Sequence, residues 1–225
     1  MSNTKKTFDS ISSKYNLINN IISLGMHLKW KNNFTNLLEF NGSVLDVATG
    51  TGDIAIMVKK KYPNSDVIGL DPSEKMLQIA NSRVTNEHKI KFVQGYCENI
   101  PFDDSYFDFI TITFGIRNTK SIVDSLKEIN RVLKKNGTFL IMEFSKNNNI
   151  LVKFFYKIYL HLFIPFIGLL FGKFSEYNHL VSTIESFYTP AEMNKILEKN
   201  GFKVKRNIRY NLGLVTVYVA NNVKF

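Results

Sequence analysis

The stretch Ser43-Val44-Leu45-Asp46-Val47-Ala48-Thr49-Gly50-Thr51-Gly52-Asp53 decides the fold. A short apolar run meets a turn of small residues, and an apolar-periodic segment follows, which predicts strand, Gly turn and helix. Gly50 and Gly52 lack the Cβ that would hinder a sharp bend or the close approach of a ligand. The helix that follows points unpaired N–H groups at whatever lies there. A cofactor site is therefore expected at this turn. Gly50, Gly52 and Ala55 also satisfy the G-x-G-x-x-G/A spacing of dinucleotide sites, so the turn alone leaves the cofactor open.

Two carboxylates bear on that choice. Asp71 closes the next apolar run, Val67-Ile68-Gly69-Leu70, where a carboxylate can accept two hydrogen bonds from ribose hydroxyls of any adenosyl cofactor. Asp46 lies inside the strand beneath the turn. There it would repel a pyrophosphate and attract the cationic sulfonium and amino group of S-adenosylmethionine. The competing reading makes Asp46 a turn-bonding carboxylate and Asp71 a neighbour of the N-cap Ser73.

The chain has 225 residues, 44% of them hydrophobic, enough for one large core and an elaboration. Lys and Arg number 29 against 19 Asp and Glu, a formal charge of +10 that points to an anionic surface nearby, nucleic acid or anionic lipid. A single cysteine excludes an intrachain disulfide and a Cys-rich metal site, and fits a reducing compartment. Met1 to Lys6 is polar and shows no targeting signal. The longest apolar region, Phe154 to Phe171, contains Lys157, His161 and Pro165 and is expected to fall short of a spanning helix and to lie on a membrane or in the fold.

Outward from the Gly turn, residues 5–40 read as a helical lid, with Phe8, Ile11, Tyr15, Ile18 and Ile22 and then Trp30, Phe34, Leu37 and Leu38 at helical spacing. Downstream, strand and helix alternate. A helix starts at Pro72-Ser73, strands follow at Ile90 to Gln94 and Phe107 to Thr113, a helix runs from Ser121 to Lys135 before Gly137, and a fifth strand spans Thr138 to Phe144. This alternation predicts an α/β fold with a parallel sheet and ligands at the carboxyl ends of its strands.

Residues 147–188 interrupt the alternation. Lys153, Lys157 and His161 form a polar stripe on an apolar helix that Pro165 and Gly168 are expected to break; both an interfacial or greasy-ligand site and plain packing fit it. Thr189-Pro190-Ala191-Glu192 predicts a capped helix to Asn200. Alternating runs from Phe202 to Ile208 and Leu214 to Ala220 predict an antiparallel terminal hairpin. Residues 1–225 thus read as one domain, with a lid at 1–40 and an insertion at 147–188.

The Asp46-to-Gly52 turn, Asp71, the Pro101-Phe102 loop and the terminal hairpin together resemble the class I S-adenosylmethionine-dependent methyltransferases. More specific strings resemble the ubiquinone/menaquinone biosynthesis C-methyltransferases. These are Phe8-Asp9-x-Ile11-Ser12-x-Lys14-Tyr15-Asn16, Gly25-x-His27-x-x-Trp30, Phe114-Gly115-Ile116-Arg117-Asn118, Glu143-Phe144-Ser145-Lys146 and Tyr177-Asn178-His179-Leu180-Val181-Ser182-Thr183-Ile184. The resemblance covers nearly the whole chain.

It implies a Rossmann-like, mostly parallel seven-stranded sheet and S-adenosylmethionine as co-substrate. It places cofactor contacts on Thr51, Asp71, Tyr96, Cys97 and Thr113, beside Asp46, Gly50 and Gly52 from the turn itself. Tyr96 and Cys97 depart from the small or amide-bearing pair usual in the family, so stacking or a backbone contact would replace an amide; Thr49 replaces a Gly or Cys.

The implied acceptor is a ring carbon of a polyprenylated quinol, most directly demethylmenaquinol, with a methoxybenzoquinol as the second acceptor. A quinol that loses a hydroxyl proton pushes electron density onto its ortho carbon, which attacks the methyl group in line. No metal is needed. Arg117 is expected to stabilise the phenolate or orient the ring, with Glu143 and Tyr15 or Tyr177 relaying the proton; the alternative for Arg117 is a structural salt bridge with Glu143. His27, His161 and His179 have no sequence-local carboxylate except Glu176 near His179. The tail gives residues 151–173 a purpose, with Lys153, Lys157 and Lys173 facing anionic head groups. The expected location is cytoplasmic and peripheral, at the inner face of the membrane. A methyltransferase for another small molecule and a non-catalytic cofactor-binding subunit are the competing functions. A nucleic-acid enzyme would need a base-flipping motif of the Asn-Pro-Pro-Tyr type, which is missing.

Overall fold

A computed structural model describes residues 19–21, 23, 25–85, 89–147, 149–170, 172 and 174–224. The apolar runs alternate with period two, so neighbouring side chains go to opposite faces of a sheet. Its strands are β1 (Ser43–Val47), β2 (Asp66–Asp71), β3 (Lys91–Gln94), β4 (Phe107–Thr113), β5 (Leu133–Phe144), β6 (Phe202–Tyr210) and β7 (Val215–Asn222). They lie in the order β3-β2-β1-β4-β5-β7-β6. The first five are parallel and β7 runs antiparallel to both neighbours. The terminal hairpin forms as expected, with the last strand inside and β6 at the edge. Burial explains the choice, since β7 is almost wholly buried while β6 exposes Lys203, Lys205, Arg206 and Arg209, charges that suit a sheet edge.

Around the sheet lie α1 (Met26–Thr35), α2 (Asp53–Lys61), α3 (Glu74–Ser82), α4 (Ile122–Val132), α5 (Ile150–Ile158), α6 (Ile164–Leu170), α7 (Phe174–Ser186) and α8 (Pro190–Lys199). On one face Leu45, Ile110 and Ile141 pack against Leu126 and Ile129 of α4 and Met193 and Leu197 of α8. On the other, Val44 and Val217 pack with Phe34 of α1 and Ala55 and Val58 of α2. Each of these Val, Leu, Ile, Met and Phe side chains contributes about 1.5–3 kcal/mol when fully buried. Of the predicted lid, α1 is described and anchored by Trp30 and Phe34. Phe8, Ile11, Tyr15, Ile18 and Ile22 lie outside the described residues, as do Phe171 and Lys173.

Two expectations need correction. The helix predicted to reach Lys135 ends at Val132, because Leu133 is extended (φ −80°, ψ 134°) and pairs with Phe107. Lys134 then binds Asp108 at 2.8 Å, and Asn136 rather than Gly137 takes the left-handed turn position (φ 62°).

The second correction concerns Pro165 and Gly168, which do not break the apolar helix. A π-helical turn, Tyr159–Phe163, joins α5 to α6, and this widened turn accommodates the missing N–H of Pro165 and its ring. Gly168 is a contact glycine: a Cβ there would lie 2.9 Å from Cβ of Tyr177 on α7. The resulting helix, Ile150–Leu170, has 21 residues and a mean hydropathy of 1.6 over its most apolar window. By length and composition it is long and apolar enough to cross a bilayer, contrary to the expectation that it falls short. One side of it packs with α7 through Leu160, Ile164, Ile167, Tyr177, Val181 and Ile184.

Candidate active site

The sheet order reverses direction between β1 and β4, and ligands of open α/β sheets collect at the carboxyl ends of strands at such a point. Here the turn after β1 is built from left-handed positions, Ala48 (φ 53°), Gly50 (φ 56°) and Gly52 (φ 81°), and leads into the amino end of α2. A Cβ at Gly50 would meet nothing within 4 Å, so its outer side is open. Across from it, a Cβ on Gly115 would lie 2.6 Å from Cβ of Ala48, so only glycine lets the two loops close together.

Asp71 braces this turn. Its Oδ2 accepts the Gly50 N–H at 2.8 Å and its Oδ1 accepts the Ser73 N–H at 2.9 Å, while Ser73 caps α3 through Met76. It also lines a cavity of about 90 Å³ with Gly50, Tyr96, Cys97 and Thr113. Asp71 is thus the neighbour of the N-cap Ser73 that the sequence allowed, and it also stands on the cavity wall. Lys120 Nζ sits 5.1 Å from the Tyr96 ring centroid, and burial pushes the Cys97 thiol up to about 12, so Cys97 stays protonated.

Asp46 is different. Its two oxygens accept hydrogen bonds from Thr49 Oγ1 and Thr111 Oγ1, each at 2.7 Å, and it lines neither this cavity nor those described below. Burial raises its carboxyl to about 6 against those hydrogen bonds. Direct contact with a cofactor is thus not its geometry; it braces the turn from beneath. Gly52 likewise shapes the turn and lines none of these cavities.

A second cavity, of about 80 Å³, shares Gly50 and Thr113 with the first and continues past Thr51, His27, Lys31 and Arg117. Burial alone would raise the Asp53 carboxyl, but Lys31 at 2.6 Å and Arg83 at 2.6 Å hold it down to about 2. Burial, then Lys31, holds His27 down to about 4, leaving a neutral ring whose Nδ1 lies 2.7 Å from Ser23 Oγ.

Arg117 and Glu143 form the ion pair that the sequence allowed. Arg117 Nη1 donates to Glu143 Oε1 at 2.5 Å and to the Phe114 carbonyl at 2.9 Å, and its guanidinium lies 5.3 Å from the Phe144 ring centroid. Glu143 is fully buried and lines none of the cavities described here, so it acts on them through Arg117. Burial pushes its carboxyl up and Arg117 opposes that push. Arg117 Nε and Glu143 Oε2 have no hydrogen-bond partner among the described residues.

The third cavity, about 620 Å³, shares Ser23, Trp30, Phe144 and Leu180 with the second and is otherwise walled mainly by apolar side chains of the insertion and of the loop before β7. Among them are Phe155, Tyr156, Tyr159, Ile164 and Leu212. Trp30 Nε1 donates to Asn211 Oδ1 at 3.3 Å, tying α1 to that loop. Asn211 (φ 48°) and Leu212 (φ 56°) are both left-handed, a strain of the kind that collects at functional sites.

Tyr177 does not line any of these cavities; it is buried in the α6–α7 contact against Gly168. His161 meets Glu185 at 2.8 Å, a partner 24 residues away that sequence neighbours could not reveal. Tyr15 and the side chain of Glu176 lie outside the described residues. Sequence reading missed the Lys31–Asp53–Arg83 network, whose only local signal was an Asp in the first turn of α2. It also missed Tyr156, which stands off the Lys153, Lys157, His161 stripe.

A sheet in this order with a Gly-rich turn at its switch point is the fold of the class I S-adenosylmethionine-dependent methyltransferases. Solved structures agree: a methyltransferase of Thermotoga maritima superposes with a TM-score of 0.68 at 20% identity, covering 98% of this chain and 100% of that one. Another, from Aquifex aeolicus, gives 0.62 at 19% over 96% and 98%. The sequence model of the ubiE/COQ5 methyltransferase family matches residues 2–222, and the chain belongs to that family.

It is 40% identical to the demethylmenaquinone methyltransferase of Thermotoga maritima over 203 residues, 88% of this chain and 87% of that one. It is 36% identical to the ubiquinone/menaquinone biosynthesis C-methyltransferase UbiE of Geotalea daltonii over 96% and 94%, and 36% to that of Rickettsia typhi over 96% and 91%. The chain is accordingly a methyltransferase with S-adenosylmethionine as its co-substrate. The open face of Gly50, the bracing carboxylate of Asp71 and the cavity between them fit that molecule's adenosine half.

Proposed function

We propose that this protein methylates a ring carbon of a polyprenylated quinol, with demethylmenaquinol as its acceptor. The observation that carries the reading is the adjacency of the cavities: the cleft beside Gly50 and Thr113 shares walls with the one lined by Arg117, and that one shares Trp30 and Phe144 with an apolar volume of about 620 Å³, which suits an isoprenoid tail. The names of the relatives support the acceptor class, and the 40% relative supports the naphthoquinol.

In this reading Asp71 takes the ribose hydroxyls, Tyr96 and Cys97 flank the adenine, and Thr51 and Thr113 line the path to the reacting end. S-adenosylmethionine supplies an electrophilic methyl group on a sulfonium. Trp30, Phe114 and Phe144 exclude water, their rings lying 6.2 Å (Trp30–Phe114) and 5.0 Å (Phe114–Phe144) apart. Arg117, permanently charged, stabilises the oxygen that loses its proton beside the reacting carbon. Glu143 fixes the guanidinium and partly neutralises it. When bound, S-adenosylmethionine would give its methyl group to the reacting carbon and leave as S-adenosylhomocysteine; the phenolic proton is lost to solvent beforehand, and the ring carbon's proton passes to that oxygen as aromaticity returns.

The insertion presents Ile150 (81% exposed), Leu151 (67%), Phe154, Leu162, Phe166, Leu169 and Leu170 to the outside, beside Leu212 (82%) at the cavity wall. This face rests on a bilayer in the proposed reading, so the tail enters without crossing water. Exposed Lys153 and Lys157 add about 1 kcal/mol each on anionic lipid. The test uses methyl-labelled S-adenosylmethionine with a reduced, short-tailed demethylnaphthoquinol and, separately, a methoxybenzoquinol. Label in the naphthoquinol alone is expected; label only in the benzoquinol would reassign the acceptor.

A further inference from the structure

The hydroxyl of Tyr156 is a buried polar group on a cavity wall that the mechanism above leaves unused. Its oxygen is shut off from solvent and has no hydrogen-bond partner among the described residues, an arrangement that costs stability unless a ligand completes it. Its ring, stacked on Tyr159 at 6.2 Å, forms part of the wall of the apolar cavity. That cavity shares Trp30, Phe144 and Leu180 with the cleft that Arg117 lines, so Tyr156 stands on its tail side. Burial pushes it well above the usual phenol range, and it therefore keeps its proton and can donate.

The sides of the acceptor ring follow from the cavities. The reacting carbon must face the cofactor cleft, so the oxygen beside it falls on the side of Arg117, which lines that cleft. The carbon bearing the tail, and the second ring oxygen next to it, then face the apolar cavity that Tyr156 lines. We infer that Tyr156 donates a hydrogen bond to the ring oxygen para to the one at Arg117, and so reads that the acceptor is a hydroquinone. This rests on the quinol reading above and adds a residue that contacts the ring.

A substrate-by-variant comparison tests it. The wild-type protein and Tyr156→Phe are each given a prenylated 1,4-naphthohydroquinone and the matching 3-prenyl-1-naphthol, which keeps the oxygen beside the reacting carbon and lacks the other. The wild type should favour the hydroquinone by about tenfold to hundredfold in kcat/KM, and Tyr156→Phe should abolish that preference. Because the hydroxyl has no partner among the described residues, Tyr156→Phe should melt at the same temperature as wild type or higher. An equal loss on both acceptors, an unchanged preference, or a lowered melting temperature would overturn the inference while leaving the quinol reading intact. Transfer by the wild type to neither ring, with cofactor binding preserved, would overturn both.

Discussion

The cofactor rim and the acceptor cap are built by opposite means. The rim is backbone: left-handed positions at Ala48, Gly50 and Gly52, two N–H groups held by Asp71, and the amino end of a helix, all within 30 residues of sequence. The cap is side chain: Trp30 and Phe144 meet Tyr156, Ile164 and Leu212, drawn from segments far apart in the chain. A backbone site must be spelled in glycines and carboxylates at fixed spacing, whereas an apolar wall is satisfied by any well-packed set. The cofactor is thus specified by geometry and the acceptor by volume, with the Arg117–Glu143 pair at the border.

That border should give the largest effect. Arg117→Met strands a buried carboxylate and should cost about 3–5 kcal/mol in chemical denaturation. Adding Glu143→Leu should recover much of the stability but none of the methyl transfer. A double variant that regained transfer would reduce the pair to packing.

On the rim, Asp71→Ala removes the acceptor of two backbone N–H groups and should weaken S-adenosylmethionine binding about hundredfold by calorimetry, while leaving vesicle binding unchanged. A parallel loss of both would mean that rim and cap are not separable.

On the cap, Leu212→Asp changes a residue 82% exposed and should lower partitioning onto anionic vesicles about tenfold, with little change in cofactor affinity. Unaltered partitioning would remove this wall of the cavity from the membrane contact.

The smallest effect is a slope. His27 is held near 4 by burial and Lys31, below its ordinary 6.5, so between these values the unfolded chain binds more protons. Its contribution is complete above pH 6.5 and is lost as pH falls toward 4. His27→Gln should flatten the acid limb of the stability profile in that window, and an unchanged limb would show that other groups set it.

The same division explains what could be read from the sequence. The strand–turn–helix at Ser43 to Asp53, the strand Phe107 to Thr113 and the capping box at Thr189 were legible because each is local, and all three are in the structure. The bonds of Asp46 were not legible, because nothing local shows that Thr111, 65 residues away, takes its second oxygen. Pro165 was misread as a breaker because a π-turn absorbs it, and only the packed helices show Gly168 against the Tyr177 ring. Tyr156 carries no signal until the cavity exists around it.

The central claim is that the apolar cap takes the acceptor's tail, and kcat/KM for reduced demethylnaphthoquinols with and without a two-isoprene tail tests it most directly. At about 0.8 kcal/mol per buried methylene, the tail should raise kcat/KM at least tenfold in detergent solution. Equal values for the tailed and tailless rings would contradict the account and leave the cavity without its proposed occupant.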